Sequence, residues 1–368
     1  MKGKNHIRVI ISGGGTGGHI FPALAIAKAI QAIIPSTEFL FVGAKGKMEM
    51  EKVPEAGFPI EGLWISGFQR KLSLQNLSFP LKLISSLWKA RKIIKDFKPH
   101  IAIGVGGFAS GPTLKMAANL GIPCLIQEQN SYPGITNKLL ANQVQKICVA
   151  YEGMEKYFPK EKIILTGNPI RKNVIEIENK KGEALEFFGL KKDIKTILIV
   201  GGSLGAQSIN NAILNDIEKW MKLDAQVIWQ TGKTSFTTVM SQLKNRDIQN
   251  IKTHQFINKM DLAYAAADMI VSRAGAIAIS EISAVGKPVI FVPYPYAAED
   301  HQTKNAQKLV DQNAALMIAD HEVKDKLFDT VEKLILDDSS LNNLAQEIKK
   351  LGISNADEII AKQVIELI

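Results

Sequence analysis

The sequence IRVIISGGGTGGHIFP (residues 7–22) joins a strand, a glycine loop and the start of a helix. Ile7–Ser12 is an apolar, β-branched run, which predicts a buried strand. Gly13–Gly18 follows at once, and Pro22–Ile33 has the pattern of a helix. A strand, a glycine loop and a helix in this order are typical of a parallel sheet covered by helices. The chain therefore begins with a predicted α/β domain.

The same order of elements returns in the second half of the chain. Thr196–Val200 is predicted as a strand, Gly201–Ala206 is rich in glycine, and Gln207–Trp220 is predicted as a helix. Further predicted strands are Glu38–Val42, Ile101–Val105, Cys124–Gln127, Val227–Gln230, Met269–Ser272 and Val289–Val292. A chain of 368 residues is expected to form two domains. We predict two Rossmann-like, doubly wound α/β domains in tandem, with a hinge near Pro159–Arg171 and the ligand in the cleft between the domains.

Composition limits the class of protein. Hydrophobic residues make up 46% and charged residues 22%, with a net charge of +9, which indicates a folded protein that attracts anions. The apolar run near the N-terminus is too short for a secretory leader, and no segment approaches the roughly 18 apolar residues of a spanning helix. We expect a cytoplasmic protein whose membrane contact is peripheral. Cys124 and Cys148 are expected to be buried hydrophobic residues.

His19 closes the first glycine loop. Such loops bring backbone N–H groups close to an anion at a helix N-terminus. The spacing Gly13-x-Gly15-x-x-Gly18 also fits the dinucleotide fingerprint, but the second strand ends in Val42–Ala44 instead of an acidic residue, so that interpretation fails. His19 is either a general base for a sugar hydroxyl or a helix-entry residue that hydrogen-bonds phosphate, and the residues alone leave both open.

Three further loops follow predicted strands. Gly104–Pro112 contains four glycines and a serine, Glu128–Ser131 is polar, and Gly201–Ala206 lacks the Gly-Lys-Ser/Thr ending of a Walker loop. Polar groups at the carboxyl ends of parallel strands lie where ligands bind, and Ser203 with backbone amides would form a phosphate cradle. The alternatives are a tight turn, an ordinary polar loop and close helix–strand packing.

Two later segments have the pattern of nucleotide-sugar contacts. Ser272–Glu281 places small residues at a helix start, where the helix N-terminus favours negative charge. Glu281 is either a ligand for both ribose hydroxyls or a solvated helix glutamate. Glu299–Ala306 is densely polar and could bind sugar hydroxyls. The chain has no Asp-x-Asp motif, so no metal is expected, and peptide dipoles would stabilise a leaving diphosphate.

Positive charge is concentrated in residues 64–98. Eight Lys and Arg against one Asp give +7 of the net +9, and Trp, Phe and Leu are interleaved. This combination is typical of a segment that lies on an anionic membrane surface. The alternative is a core contribution with solvated cations. Nucleic acid is not expected as a partner, because phosphate contacts would leave the apolar residues unexplained.

These motifs occur together in the order and spacing of a known family. They are Gly13–His19 with Phe21-Pro22, Gly104–Pro112, Glu128–Asn130 with Thr136–Lys138, Gly167–Arg171, Gly201–Ala206, Arg273–Glu281 and Asp300–Ala306. The chain resembles the peptidoglycan-synthesising members of glycosyltransferase family 28 over nearly its whole length. The resemblance implies a GT-B fold and an inverting transfer that needs no metal or cofactor. The transferred group is GlcNAc, which moves from UDP-GlcNAc to the C4 hydroxyl of MurNAc in lipid I (undecaprenyl-diphosphate-MurNAc-pentapeptide) and gives lipid II.

The resemblance also implies a division of labour. Residues 1–168 would bind the acceptor and the membrane, residues 169–348 would bind UDP-GlcNAc, and residues 349–368 would form a helix that crosses back to the first domain. The enzyme would work at the cytoplasmic face of the cell membrane as a peripheral protein, with other proteins of cell-wall synthesis as possible partners.

Site residues follow from the resemblance, position by position. Those expected at UDP-GlcNAc are Thr16, Gly17, Gly18, Asn130, Arg171, Ser203, Ile257, Ala276, Ile277, Ala278, Ile279, Ser280, Glu281 and Gln302. Those expected in the acceptor and diphosphate loops are Gly106, Gly107, Phe108, Ser110 and Glu128. His19 matches the family's proposed base, Glu281 would contact ribose, and the backbone of Ile257 would face uracil. Some members carry paired glutamines where this chain has His301-Gln302, which leaves the role of His301 open.

Two other functions remain compatible with the residues. A UDP-GlcNAc 2-epimerase would share the fold but would need neither a lipid acceptor nor a basic apolar segment. A non-catalytic UDP-sugar-binding subunit at the membrane would bind the donor without turnover and would be indifferent to His19→Ala.

Overall fold

The computed structural model describes residues 6–67, 79–244, 246 and 248–368. The chain forms two compact units, which are described separately. Unit 1 is Met1–Ile170 with Asn355–Ile368, and unit 2 is Arg171–Ser354.

Every strand pairing in the two sheets is parallel. Unit 1 contains β1 (Arg8–Ser12), β2 (Glu38–Ala44), β3 (Ile60–Leu63), β4 (Ile101–Gly104), β5 (Cys124–Glu128), β6 (Lys146–Val149) and β7 (Ile163–Leu165). Unit 2 contains β8 (Thr196–Val200), β9 (Gln226–Gln230), β10 (Ile251–His254), β11 (Met269–Ser272), β12 (Val289–Phe291) and β13 (Leu316–Met317).

Helices connect these strands. In chain order they are α1 (Gly17–Ile33), α2 (Glu49–Glu55), α3 (Phe79–Phe97), α4 (Ser110–Asn119), α5 (Ile135–Leu140), α6 (Lys172–Ile175), α7 (Lys181–Phe188), α8 (Gln207–Asn215), α9 (Ile217–Lys222), α10 (Phe236–Leu243), α11 (Met260–Ala266), α12 (Ala276–Val285), α13 (His301–Val310), α14 (Val323–Ile335), α15 (Asp338–Lys350) and α16 (Ala356–Glu366). Short 3-10 turns lie at Met154–Lys156, Lys160–Lys162, Ala298–Asp300 and Asp320–Glu322.

The strand order reverses at the centre of each sheet. It is β3-β2-β1-β4-β5-β6-β7 in unit 1 and β10-β9-β8-β11-β12-β13 in unit 2. Connections therefore leave in opposite directions from β1 and β4, and from β8 and β11. In an open parallel sheet, this reversal opens a crevice at the carboxyl ends of the two strands, where ligands bind. The prediction of two doubly wound α/β domains is confirmed.

Burial on both faces explains the continuous apolar runs of the central strands. In β1, Val9 and Ile11 pack in one core cluster and Ile10 in the other, and none of the three is exposed. The C-terminal helix α16 contributes Ile360 and Val364 to the first of these clusters. Unit 2 has its own core, centred on β8, β9 and the helices α8 and α14.

Two helix predictions need correction. Helix α1 begins at Gly17, not at Pro22, so His19 lies inside its first turn. Pro22 is tolerated because the donor it lacks would serve the carbonyl of Gly18, which is exposed to solvent. The predicted helix Gln207–Trp220 is two helices, because Asp216 leaves helical geometry with φ −103° and ψ 21°.

Candidate active site

The loops after β1 and β4 contact each other through their backbones. A Cβ built on Gly107, whose φ is +86°, would lie 2.5 Å from the carbonyl oxygen of Gly14. A Cβ on Gly13 would lie 2.1 Å from Cγ2 of Val105. Only glycine permits this approach. The two glycine loops of unit 1 are therefore one structural feature at the sheet's reversal point.

His19 has a defined orientation at this feature. Its Nδ1 lies 2.9 Å from the carbonyl oxygen of Gly14. A carbonyl oxygen only accepts hydrogen bonds, so Nδ1 carries the proton, and the neutral ring has its lone pair on Nε2. A Cβ built on Gly106 would lie 2.9 Å from Nε2, so Nε2 faces the loop after β4. This orientation suits a proton acceptor.

Glu128 organises the loop after β5. Its buried carboxylate accepts hydrogen bonds from the backbone N–H of Asn130 at 3.0 Å and of Gly134 at 3.1 Å. The side-chain amides of Asn130 and Asn137 donate to it at 3.2 and 2.8 Å. The structure therefore places Glu128 inside the loop and holds the half-buried Asn130 in a fixed position.

Of the predicted site residues in the loop after β4, some are exposed and others are buried. Phe108 is exposed, and its ring covers Gly67 so closely that a Cβ there would lie 2.2 Å from Cζ. Ser110 is fully buried, and a Cβ on Gly104 would lie 2.6 Å from its Oγ. Ser110 thus belongs to the packing of α4 against β4, and Gly107 and Phe108 form the accessible part of the loop.

A buried carboxylate lies at the centre of the unit 2 site. The side chain of Glu281, in α12, is 5% exposed. Nε and Nη2 of Arg171 donate to its Oε1 at 3.1 and 3.0 Å, and the hydroxyl of Tyr264 donates to its Oε2 at 3.3 Å. Burial raises the pKa of Glu281, whereas Arg171 and Tyr264 act in the opposite direction. Arg171 therefore favours the carboxylate form against the cost of desolvation.

Glu281 lies in the second turn of α12, and the first turn of this helix is partly exposed. Gly275 precedes the helix in an extended conformation, and Ala276, Ile277, Ala278 and Ser280 are half-buried, whereas Ile279 is buried. Small side chains leave the first backbone N–H groups of the helix approachable, and those groups favour an anion.

The side-chain amide of Gln230 links the backbone of Ile257 to the glycine loop after β8. Its Oε1 accepts from the backbone N–H of Ile257 at 2.8 Å, and its Nε2 donates to the carbonyl of Gly202 at 3.0 Å. The side chain of Ile257 is buried, and Ser203, next to Gly202, is exposed. The glycine loop after β8 and the Ile257 segment are thus held in register by one buried amide.

The polar segment Glu299–Ala306 is held by hydrogen bonds to backbone groups close to it in the chain. Oε1 of Gln302 accepts from the backbone N–H of Tyr294 at 2.9 Å. Nδ1 of His301 donates to the carbonyl of Ala298 at 2.6 Å. Arg273 pairs with Asp320 and lies 5.6 Å from the centre of the Tyr294 ring. Both predicted residues of this segment are half-buried.

Sequence reasoning missed three buried residues at these sites. Glu49 contacts the first glycine loop, Tyr264 contacts Glu281, and Gln230 supports the second glycine loop. Glu49 lies in a polar segment and Tyr264 in an alanine-rich one, so neither carries a sequence signal for its role.

Across residues 6–67, 79–244, 246 and 248–368, no three His, Cys, Asp or Glu side chains are grouped as around a metal ion. In the same part of the chain, no helix is both long and apolar enough to cross a membrane.

Two family models match the chain. The glycosyltransferase family 28 N-terminal domain matches residues 9–149, and the glycosyltransferase family 28 C-terminal domain matches residues 196–363.

Curated relatives match over almost the full length. A protein of Christiangramia forsetii is 52% identical over 99% of both chains, and one of Parabacteroides distasonis is 53% identical over 98% of both. Each is named UDP-N-acetylglucosamine--N-acetylmuramyl-(pentapeptide) pyrophosphoryl-undecaprenol N-acetylglucosamine transferase.

Solved structures agree with these matches. MurG of Acinetobacter baumannii superposes with a TM-score of 0.80 at 28% identity, covering 98% of this chain and 99% of that one. A UDP-GlcNAc 2-epimerase of Neisseria meningitidis has a TM-score of 0.67 at 16% identity, covering 98% of this chain and 100% of that one. The second likeness is one of fold alone.

Proposed function

Because the chain belongs to glycosyltransferase family 28, we propose that it transfers GlcNAc from UDP-GlcNAc to the C4 hydroxyl of MurNAc in lipid I and so makes lipid II for peptidoglycan. The observation that carries this function is the 52–53% identity, over nearly the full length, to relatives named for this transfer. Both domains of the GT-B fold have their family match. The likeness to a 2-epimerase concerns fold only and does not favour epimerisation.

In the proposed reaction, His19 accepts the proton of the acceptor hydroxyl. The hydroxyl oxygen forms a bond to C1 of GlcNAc while the bond from C1 to the diphosphate oxygen breaks, and UDP leaves with that electron pair. Attack opposite to the leaving group inverts the configuration at C1. Supporting this role, the Nδ1 hydrogen bond to Gly14 leaves the lone pair on Nε2. The loop after β4 and the Glu128-ordered segment with Asn130 would hold the acceptor beside it.

Unit 2 is proposed to hold the donor. The open first turn of α12 would receive the diphosphate, whose developing charge is stabilised by backbone N–H groups. Glu281 would accept hydrogen bonds from the ribose hydroxyls. Arg171, which is 46% exposed, would keep this carboxylate ionised and extend toward the diphosphate. Ser203, the Ile257 backbone and Gln302 would complete the contacts to phosphate, uracil and GlcNAc.

Helix α3 is proposed to contact the cytoplasmic face of the cell membrane. Leu81, Ile84 and Trp88 recur at helical spacing and are exposed, Trp88 to 73%. The exposed Lys92 and Lys95 continue the stripe. The opposite face of the helix, Ser86, Ala90, Ile93 and Ile94, is buried. Exposed apolar residues followed by cations suit an anionic lipid surface. Within the predicted segment 64–98, residues 68–78 lie outside the described residues.

Purified protein tests the proposed reaction directly. Incubated with UDP-GlcNAc and lipid I, it should release UDP and form lipid II in equal amounts, and the new linkage should have the β configuration. Without lipid I, it should leave UDP-GlcNAc intact. Conversion of UDP-GlcNAc in the absence of lipid would support the epimerase instead, and donor binding without product would support a non-catalytic subunit.

A pair of leucines tests the membrane contact. Leu81 is 65% exposed in the stripe, and Leu336 is 64% exposed in unit 2, so Leu336→Ser is the matched control for Leu81→Ser. Leu81→Ser should weaken binding to vesicles containing phosphatidylglycerol by about 5- to 10-fold, because it removes one apolar group from the interface. Equal losses in both variants, or equal binding to neutral vesicles, would contradict this contact.

A further inference from the structure

Glu49 is a buried acid that the proposed reaction does not yet use. It is the first residue of α2 and is 1% exposed. Its Oε1 accepts from the backbone N–H of Ala44 at 3.0 Å, and its Oε2 accepts from the backbone N–H of Gly15 at 2.8 Å. A buried carboxylate is costly unless it is hydrogen-bonded. Here both oxygens are satisfied by the backbone, one of them by the first glycine loop.

The site around Glu49 is shaped to its carboxylate. A Cβ built on Gly14 would lie 2.2 Å from Cδ of Glu49, and a Cβ on Gly43 would lie 2.5 Å from its Cγ. Two glycines on different segments, one after β1 and one within β2, thus make room for this side chain. An incidental buried acid would not require glycine on both sides.

The peptide bond between Gly14 and Gly15 connects Glu49 to His19. The N–H of this peptide belongs to Gly15 and donates to Glu49, and its carbonyl belongs to Gly14 and accepts from Nδ1 of His19 at 2.9 Å. One peptide unit is therefore hydrogen-bonded at both ends. Hydrogen bonds in such a chain polarise one another: a carboxylate on the N–H increases the negative charge on the carbonyl oxygen.

We propose that Glu49 is a positioning residue that acts on His19 through the Gly14–Gly15 peptide. It fixes the peptide plane, and the plane fixes the imidazole in the form with the proton on Nδ1. The polarised carbonyl also stabilises the imidazolium that forms when Nε2 takes the acceptor proton. An aspartate hydrogen-bonded directly to a catalytic histidine does the same in serine hydrolases; here a peptide unit stands between the two groups. The inference rests on the proposed function of His19.

Uncharged groups lie on both sides of the His19 ring. Thr16 Oγ1 lies 3.4 Å from Nδ1, and on the other side stand the Gly106 backbone and the side-chain amide of Gln129, whose Oε1 would lie 3.8 Å from a Cβ on Gly106. None of these titrates near neutral pH. On α2, Lys52 pairs with Glu55 at the surface. Glu49 is a charged group joined to His19 by two hydrogen bonds through the Gly14–Gly15 peptide, so its removal should change the pH dependence of turnover.

The test compares Glu49→Gln with Glu55→Gln, an exposed acid on the same helix. Glu49→Gln should lower kcat by roughly 10- to 100-fold, less than loss of the base itself, while the KM for UDP-GlcNAc stays within about twofold. The acid limb of the kcat–pH profile should move to lower pH by roughly half a unit to one unit, because the imidazolium loses a stabilising negative charge. Glu55→Gln should match the wild type in all three measurements.

Combining variants separates positioning from a general structural role. In a His19→Ala background, Glu49→Gln should cause no further loss of kcat, because its effect passes through His19. A loss that multiplies with that of His19→Ala, or a Glu49→Gln variant that equals Glu55→Gln, would overturn the inference. Failure of the proposed function looks different: the wild type would form no lipid II, or His19→Ala would keep full turnover.

A measurement on the wild type remains decisive if Glu49→Gln does not fold. At alkaline pH, the 15N shifts of the His19 imidazole should show a protonated Nδ1 and an unprotonated Nε2. The amide proton of Gly15 should be shifted downfield by its hydrogen bond to a carboxylate. A proton on Nε2 instead would overturn the inference.

Discussion

The glycine loops after β1 and β8 each contain two glycines with positive φ, but their surroundings differ. Gly13–Gly18 follows β1 and Gly201–Ala206 follows β8, each at the reversal point of its sheet. Each of these loops lies so close to a neighbouring loop that only glycine fits at the contact. In unit 1 the contact is between Gly107 and Gly14, and in unit 2 it is between Gly205 and Thr231. The first loop is followed by a histidine, and the buried carboxylate of Glu49 accepts a hydrogen bond from the loop. The second loop accepts a hydrogen bond from the uncharged side-chain amide of Gln230.

We propose that this difference lets one fold serve two chemical tasks. The first loop presents a proton acceptor with a fixed tautomer, which suits the activation of a hydroxyl. In the second unit, the charged pair Arg171–Glu281 lies on another segment, and the loop itself offers Ser203 and backbone amides, which suits an anion. If the comparison is right, variants in unit 1 should affect turnover and variants in unit 2 should affect donor affinity.

The largest effect is expected from His19→Ala. Loss of a general base should lower kcat by about 10²- to 10⁴-fold, while the Kd for UDP-GlcNAc stays close to the wild-type value, since His19 is proposed to act on the acceptor hydroxyl and the nucleotide of the donor is assigned to unit 2. Steady-state rates with calorimetric donor binding measure both quantities. A weakened Kd for UDP-GlcNAc with unchanged kcat would contradict the comparison, because His19 would then serve donor binding and not proton transfer.

The next effect concerns Glu281→Gln, which keeps the shape of the side chain and removes its charge. Hydrogen bonds to a charged group contribute about 1.5–3 kcal/mol, so the Kd for UDP-GlcNAc should rise by roughly 10- to 100-fold, with a smaller change in kcat. Glu347→Gln, at a surface pair with Lys350, is the control. Unchanged donor affinity would remove Glu281 from the ribose site.

A smaller effect is expected from the glycines of the second loop. Gly205→Ala would place a Cβ 2.1 Å from the carbonyl oxygen of Thr231, so it should destabilise the protein by about 1–3 kcal/mol. Gly202 has a similar φ of +87° and no atom within 4 Å of its Cβ position, so Gly202→Ala should show only the backbone strain, about 1 kcal/mol. Denaturant unfolding distinguishes the two, and equal losses would show that the close approach contributes nothing.

The fold was largely predictable from sequence. Strands buried on both faces appear as continuous apolar runs, and Thr196–Val200 and Met269–Ser272 were predicted residue for residue. Helix starts were less predictable, as Gly17 shows, because a glycine-rich segment does not signal a helix and Pro22 suggests a later beginning.

The location of a candidate site residue was predictable where the order of strand, loop and helix along the chain determines it. His19 follows a strand and a glycine loop, and its location could be predicted from that order. The environment of Glu281 could not, because Arg171 lies 110 residues away along the chain. Glu49 was missed for the same reason: its partners are backbone amides of two other segments, and only folding brings them together.

Rescue of His19→Ala by added imidazole tests the central claim most directly. The rate of GlcNAc transfer by this variant, at saturating UDP-GlcNAc and lipid I, is measured against imidazole concentration at a pH where imidazole is neutral. We expect the rate to rise with imidazole and saturate, because a free base then takes the acceptor proton that Nε2 would have taken. A variant that keeps the wild-type rate without imidazole would show that His19 does not accept that proton.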